Sequence, residues 1–241
     1  MTDEEFDRAL IGAWFALAAD GGRHLPSAAA ASREAGVPVE RARARFPGRE
    51  SVLMRFGRLA DQAALTGLMA DGSVRDRLFD ATMRRIDQFQ AHRAGVLAVL
   101  RHLPADPPLA LLLACATERS MRWLLDAAGA RTAGLAGMMR IKGMVGVWLW
   151  TLRAWERDDS ADLSPTMAAL DRALAQAERA AGYLPGAGGR RRGAGPEAPP
   201  APPAPDPSSP DPSPQAPMPP DPPLAEPGSP ADGMPGLEPN V

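Results

Sequence analysis

The sequence predicts an all-α protein, and two features of residues 1–184 support this fold class. Alanine, leucine, arginine and glutamate, all strong helix formers, dominate these residues, whereas β-branched residues are scarce. Apolar residues also recur with the 3.6-residue period of an amphipathic helix in most segments. We therefore expect helices connected by short turns, and no strand, in this part of the chain.

Composition divides the chain into three regions. Of the 27 prolines among the 241 residues, 20 lie in residues 185–241, where they favour extended and partly polyproline II conformations. The sequence predicts a first helical domain over residues 1–62, a second over residues 70–183, and a disordered Pro-rich tail over residues 184–241. The alternative interpretation of the tail is that its proline runs dock a partner.

Helix ends in the first domain follow from residues that cap or break helices. The predicted boundaries are Gly21-Gly22 after a helix over residues 3–19, Ser27 and Gly36 around a short second helix, Pro38 and Pro47 around a third, and Arg49 at the start of a fourth that runs to about Ala70. The first domain is thus expected to hold two short helices between two longer ones.

The second domain carries signals of the same kind. Its predicted helices begin at a capping box of Ser73 with Asp76, after the break at residues 104–108, at about residue 131, and at Ser164. Residues 131–157 are the most apolar element, because Val147 and Trp150 widen an already apolar stripe. A helix that is apolar on most sides is buried or paired with another chain, so we predict a homodimer.

Charge and cysteine content exclude several classes of protein. The formal net charge is −2, with +2 on residues 1–184 and −4 on the tail. This balance excludes a strongly basic protein that binds polyanions without specificity, but it allows a local basic patch. The single cysteine, Cys115, excludes a disulfide framework and a cysteine zinc site, and its apolar neighbours predict that it is buried.

The sequence contains no sign of a membrane segment, an active site or a metal site. Its first residues are acidic, unlike a signal peptide, and no apolar run approaches the roughly 20 residues that span a bilayer. A Gly-rich phosphate loop, G-x-S-x-G and H-E-x-x-H are absent, and the three histidines lack the spacing of metal ligands. We therefore predict a soluble, cytoplasmic protein without enzymatic activity, cofactor or metal.

Residues 25–53 carry the clearest functional pattern. They read LPSAAAASREAGVPVERARARFPGRESVL, which is a short helix, a glycine-containing turn, a second short helix and a Phe-Pro-Gly break. Two short helices joined by a turn of three or four residues form a helix-turn-helix, whose second helix fits the major groove of DNA. Here that helix contains Arg41, Arg43 and Arg45, and arginine contacts both phosphates and guanine edges.

This region resembles the tetracycline-repressor (TetR) family of transcriptional regulators. Residues 33–37 (REAGV), residues 46–50 (FPGRE) and the pair Val52-Leu53 match, without gaps, the family's Ala-Gly-Val, Phe-Pro-Ser-Lys-Glu and following apolar pair. The resemblance covers roughly residues 6–70, and the all-helical pattern extends it to about residue 182. It implies an N-terminal domain that binds operator DNA and a C-terminal domain that binds a small ligand and dimerises.

The resemblance also implies which residues contact DNA. Phe46 falls on the family's core aromatic residue and Arg49 on its phosphate-contacting lysine. Arg41, Arg43 and Arg45 stand where the family usually has Thr, Tyr and His. The predicted contacts to a palindromic operator are Ser27, Arg33, Val39, Arg41, Arg43, Arg45 and Arg49.

Methionines and tryptophans in the second domain predict an apolar ligand pocket. Ligand sites are mostly apolar clefts, and methionine fills irregular space. The alternative for each residue is ordinary core or dimer packing, since a stripe at helical spacing is usually core. The predicted lining, for an aromatic, acyl or isoprenoid effector, is Met121, Trp123, Leu124, Met138, Met139, Met144 and Trp148.

Parts of the second domain are also similar to ubiquinone-biosynthesis accessory proteins. The similarity lies in residues 140–143 (RIKG), in the long tryptophan-bearing helix, and in the acidic turn from Asp158 toward the last helix. Those proteins share the TetR-like fold but bind isoprenoid lipid and partner enzymes instead of DNA. The acidic start of the chain, with nine arginines against eight acids in residues 1–60, favours this alternative, whereas the arginine-bearing second helix favours DNA.

Overall fold

The computed structural model describes residues 1–20, 24–68 and 71–182. Within these residues it contains no strand, as the sequence predicts, and its helices are α1 (Asp3–Ala19), α2 (Ala28–Glu34), α3 (Val39–Arg45), α4 (Arg49–Leu65), α5 (Val74–Gln90), α6 (Arg93–His102), a 3-10 turn (Leu103–Ala105), α7 (Pro107–Ala127), α8 (Gly134–Glu156) and α9 (Ser164–Gly182). The predicted stop at Gly21-Gly22 and the predicted disordered tail, residues 184–241, lie outside the described residues.

Most helix ends fall on the residues that the sequence predicts. The Ser27 hydroxyl accepts a hydrogen bond from the Ala30 amide at 3.1 Å and caps α2. Ser73 and Asp76 form the expected capping box at the start of α5. The predicted end of α4 is wrong, because this helix ends at Leu65 rather than near residue 70. It still extends past residue 62, and the domain division at that point stays a prediction.

A helix break at Ala91 and His92 separates α5 from α6, and no glycine or proline signals it. Packing against α1 accounts for the break. A Cβ atom on Gly95 would lie 2.4 Å from the carbonyl oxygen of Phe15, so α6 approaches α1 more closely than a side chain allows. The His92 ring also stacks on the Phe15 ring, with centroids 5.1 Å apart. Tertiary contacts therefore fix a boundary that the local sequence does not.

One hydrophobic core connects the helices of the described residues. Trp14 of α1 and Trp155 of α8 are its largest fully buried members. The Trp14 indole donates to the Pro26 carbonyl at 2.8 Å, which fixes the loop before α2 on α1. The Trp155 indole donates to the Gln90 side chain at 2.8 Å, which fixes the end of α5 on α8. Both indoles thus pack apolar surface while their polar atoms stay satisfied.

Asp158 closes the turn between α8 and α9. Its buried carboxylate accepts hydrogen bonds from the amide and hydroxyl of Ser160, at 3.0 and 2.5 Å, and from the amide and hydroxyl of Thr166, at 3.0 and 2.6 Å. Burial by itself raises the pKa of this carboxyl, but the four hydrogen bonds outweigh burial and lower the pKa of Asp158 to about 2. The charged carboxylate thereby holds the start of α9 beside the end of α8.

Helix length and hydropathy give one further result. None of the described helices is by itself both long and apolar enough to cross a bilayer. Residues Arg93–Ala105 and α7 reach that length and hydropathy only jointly, as a pair bent by 120°.

Candidate DNA-binding surface and ligand cavity

Helices α2 and α3, with the turn between them, form a helix-turn-helix. Gly36 adopts φ +63°, a left-handed conformation that glycine takes without strain. The buried Ser32 closes the turn, because its hydroxyl donates to the Val37 carbonyl at 2.6 Å and its carbonyl accepts from the Val37 amide at 3.0 Å. Ala31 and Ala42 are fully buried, so small side chains let the two helices approach each other.

One face of α3 is exposed and carries a single arginine. Val39 and Arg43 lie one helical turn apart on this face, and Val39 is about half exposed. The Arg43 guanidinium donates to the Pro47 carbonyl at 2.7 Å. Arg33, on α2, is exposed as well. Within the described part of the chain, neither Arg33 nor Arg43 pairs with a carboxylate, so both guanidinium charges remain available to a partner.

The other two arginines of α3 contact acidic residues at the start of α1. Arg45 donates to both carboxylate oxygens of Asp7, at 2.7 and 2.8 Å, and pairs with Asp3 at 2.8 Å. Arg41 donates to Asp3 at 2.5 Å, and its guanidinium lies 4.5 Å from the centroid of the Phe6 ring. Two predicted DNA contacts are therefore held by α1 in this structure.

Asp7 is the central member of this cluster and also receives a hydrogen bond from Arg55 of α4, at 2.7 Å. Its side chain is 1% exposed. Burial alone raises the pKa of Asp7, but the hydrogen bonds and charges of Arg45 and Arg55 outweigh burial and lower it. The pKa of the exposed Asp3 is also lowered, mainly by its hydrogen bond from Arg41. The acidic residues of α1 thus tie α3 to both α1 and α4.

Four of the seven predicted DNA contacts meet at one surface cleft of about 760 Å³. These four residues are Ser27, Val39, Arg43 and Arg49. Arg49 is also paired with Asp106 at 2.5 Å and with Glu50 at 3.2 Å. Since Asp106 caps α7 by accepting from the Leu109 amide at 3.2 Å, Arg49 connects the cleft to the start of α7.

A largely apolar cavity of about 800 Å³ has walls from α1, α4, α5, α6, α7 and α8. The structure divides the predicted lining residues among several places: Trp123 and Trp148 line this cavity, Met139 and Met144 line a separate groove of about 750 Å³ beside α9, Met121 and Leu124 are buried in the core, and Met138 is exposed on α8. The two tryptophans are therefore the predicted residues that meet in the larger cavity.

A buried polar cluster that the sequence did not predict lies on the wall of this cavity. Arg85 of α5 is 5% exposed, and its Nη1 contacts Asp61 of α4 and Ser120 of α7. The Ser120 hydroxyl donates to Asp61. The guanidinium lies 4.7 Å from the centroid of the Trp148 ring, and burial lowers the pKa of Arg85 to about 10, so it is protonated at neutral pH. The sequence does contain one signal that could have revealed this cluster, because the helical period places Arg85 on the apolar face of α5.

Comparison with solved structures relates this arrangement of helices to a known fold. The chain is similar to the TetR transcriptional regulator from Nitrosomonas europaea ATCC 19718, with a TM-score of 0.59 and 18% sequence identity over 73% of this chain and 99% of that chain. The chain has the TetR-like fold. No protein-family model and no curated protein matches its sequence, so the fold is established by the arrangement of the helices.

In this TetR-like chain, α7 and α8 carry large apolar side chains at the surface. We call this surface the α7/α8 face; it comprises Leu111, Leu135 and Trp150, each more than half exposed, whereas the exposed Trp123 and Leu149 line the cavity of about 800 Å³. The prediction that Cys115 is buried is wrong, because this residue is exposed on α7. Helix α7 packs into the core through Leu109, Met121 and Leu124, and Cys115 lies on a different face of the helix.

Proposed function

We propose that this protein is a transcriptional regulator that binds DNA through its helix-turn-helix and releases it when a small ligand binds. The observation that carries the proposal is the cleft to which Ser27, Val39, Arg43 and Arg49 all contribute. The guanidinium of Arg43, which has no carboxylate partner among the described residues, can attract a phosphate or a base edge, and a helix with one exposed face fits a major groove. The TetR-like fold supports the proposal, since the Nitrosomonas protein of this fold is named a transcriptional regulator.

In the proposed complex, α3 enters the major groove. Val39 and Arg43, on its exposed face, contact base edges, whereas Ser27, Arg33 and Arg49 contact phosphates. Arg41 and Arg45 hold α3 on α1 through Asp3 and Asp7, and they reach phosphates only by leaving those acids. Arg33 and Arg43 have no carboxylate partner among the described residues, whereas Arg49 pairs with Glu50 and Asp106 and must leave one of these acids to reach a phosphate.

The proposed active form is a homodimer that pairs through the α7/α8 face. A surface with several exposed large apolar side chains is typical of a protein interface. Two copies of α3 about 34–36 Å apart would engage the half-sites of a palindromic operator. Sedimentation velocity tests this pairing: the native chain is expected to sediment as a dimer and Trp150→Glu as a monomer. A monomeric native chain at micromolar concentration would refute it.

The proposed ligand site is the cavity that contains Trp123 and Trp148. Its volume of about 800 Å³ lies within the range of small-molecule sites. A ligand can favour a dimer whose α3 helices have a spacing that does not fit the operator. It then shifts the dimer population away from the DNA-binding form, to an extent set by the difference between its affinities for the two forms. We propose repression as the action on DNA, and no catalytic step is part of the proposal.

The test is a selection from random duplex DNA with the full chain at low salt. Enrichment of a palindrome is expected, and Arg43→Ala is expected to weaken its binding by about 1–3 kcal/mol. Arg172→Ala, an exposed arginine of α9, is the matched control and is expected to bind as the native chain does. If no sequence is enriched, the DNA role is refuted, and an organic extract of the purified protein then tests for a bound lipid.

A further inference from the structure

The cavity between α4, α5, α7 and α8 combines apolar walls with an excess of positive charge. Its charged lining residues are Arg58, Arg85 and Arg119 against Asp61 alone, which gives the lining a formal charge of +2. Arg58 and Arg119 are exposed, and neither has an ion-pair partner within the described residues. Arg85 is the deeply buried member of the set. Water solvates the two exposed arginines, so the buried Arg85 is the group that an apolar ligand alone would leave without a further partner.

Arg85 has unused hydrogen-bonding capacity inside the cavity wall. Its contacts with Asp61 and Ser120 both come from Nη1. Its Nε is buried and has no hydrogen-bond partner among the described residues. A buried donor without a partner costs free energy, and native proteins rarely keep one unless a water, an ion or a ligand completes it.

The free edge of the guanidinium has the shape of a carboxylate site. The N–H groups of Nε and of the adjacent Nη2 lie side by side in one plane, and a carboxylate accepts from such a pair through two parallel hydrogen bonds. The opposite edge stays with Asp61, so that a single arginine links the two acids. The ring centroids of Trp148 and Phe89 lie 4.7 and 5.8 Å from the guanidinium carbon, so aromatic rings are close to the charged group.

We infer that the cavity binds an amphiphilic carboxylate, with its carboxyl group on the Nε edge of Arg85 and its apolar body along the walls that contain Trp123 and Leu152. This inference rests on the ligand-binding part of the proposed function and names the chemical class of the ligand. A neutral hydrocarbon or an alcohol leaves the Nε donor unpaired, whereas a fatty or aromatic acid satisfies it. The distinguishing property is therefore the charge of the head group and not the size of the apolar body.

The test compares ligands of equal shape and different charge on the full chain without DNA. Isothermal titration calorimetry measures the binding of dodecanoate and dodecanamide, below their aggregation limits, and of the saturated acids from eight to sixteen carbons. Dodecanoate is expected to bind at least tenfold more tightly than dodecanamide. Equal affinities for the two compounds, or no binding by any acid of the series, would overturn the inference.

Variants of the cluster then test the role of Arg85. The double variant Arg85→Met/Asp61→Leu removes both charges together, so Asp61 is not left without its partner, and the preference for the acid is expected to disappear. Arg85→Lys retains the charge but loses the two-donor edge, and at least a fivefold loss of dodecanoate affinity is expected. Arg101→Met, an exposed position on α6, is the control and is expected to bind as the native chain does.

The outcomes separate this inference from the proposed DNA function. A preference for the acid that survives in both cluster variants refutes the assignment to Arg85. Failure of the DNA selection with an intact preference for the acid refutes the regulator and leaves the carboxylate site standing. Successful DNA selection with equal binding of acid and amide refutes the carboxylate site and leaves the regulator standing.

Discussion

Replacing the buried carboxylate of Asp7 is expected to destabilise the fold strongly. Asp7→Asn keeps the size of the side chain but places an amide where Arg45 and Arg55 donate three hydrogen bonds of 2.7 to 2.8 Å. Removing one member of a buried ion pair typically costs 3–5 kcal/mol. The two arginine side chains are about 30% exposed and can turn toward water, so we expect the lower end, about 3 kcal/mol.

Urea unfolding followed by circular dichroism measures this change. With a slope of about 2 kcal/mol per M, the midpoint is expected to fall by about 1.5 M. Asp3→Asn is the matched control, since Asp3 pairs with arginines of the same helix, but its side chain is 65% exposed. Exposed ion pairs contribute little, so the control is expected to change the free energy of unfolding by less than about 1 kcal/mol.

The pH dependence gives an independent check on the same carboxylate. The pKa of Asp7 in the folded protein is lowered from its usual 3.8, so its contribution is complete above that value and is lost as the pH falls through the folded pKa. The stability difference between the native chain and Asp7→Asn is therefore expected to shrink below about pH 4. A midpoint change under about 0.5 M, or a stability difference that does not shrink at all as the pH is lowered below 3.8, would contradict the assigned role of the ion pairs.

Three further changes follow from the geometry. Asp158→Ala removes four hydrogen bonds from the α8–α9 turn. Because hydrogen bonds to a charged acceptor make a net contribution to stability, the free energy of unfolding, measured in urea, is expected to fall by about 2 kcal/mol. Gly95→Ala is expected to lower the melting temperature because its Cβ meets the backbone of α1, whereas Gly57→Ala, with nothing within 4 Å, is expected to leave it unchanged or higher. Asp3→Asn releases Arg41 of α3, whereas Arg45 stays on Asp7, so operator binding is expected to tighten and to become more sensitive to salt, by about 3.5-fold per added phosphate contact between 50 and 200 mM. An unchanged free energy of unfolding would contradict the first prediction, and equal melting temperatures of the two glycine variants would contradict the second. An unchanged salt dependence of operator binding would contradict the third.

The local sequence predicts the helix-turn-helix well because its signals are local. Ser27 caps α2, Gly36 supplies the left-handed turn and Pro47 follows the end of α3, and each effect depends on residues within one helical turn. The break between α5 and α6 could not be predicted in this way. It depends on contacts of Gly95 and His92 with Phe15, almost 80 residues earlier in the chain.

The candidate site shows the same limit. The arginines of α3 are visible in the sequence, but their division into paired and unpaired groups depends on Asp3 and Asp7, which lie at least 38 residues before the arginines they bind. Arg85 lies seven residues after Leu78 and four before Phe89, so the helical period already places it on the apolar face of α5. Its neighbours Asp61 and Ser120 come from other helices, and only the fold brings them together.

Helix α4 provides a physical link between the two proposed sites. Near its start, Arg55 shares Asp7 with Arg45 of α3, and near its end, Asp61 pairs with Arg85 in the cavity. A ligand that changes the position of Asp61 therefore acts on the helix that also holds α3 in place. Because coupling between two binding sites is reciprocal, operator DNA must change ligand affinity by the same factor by which ligand changes DNA affinity. Titrating dodecanoate with and without saturating operator measures that factor, and Arg55→Lys, which loses the bond from Nε to Asp7, is expected to reduce it without affecting the preference for the acid.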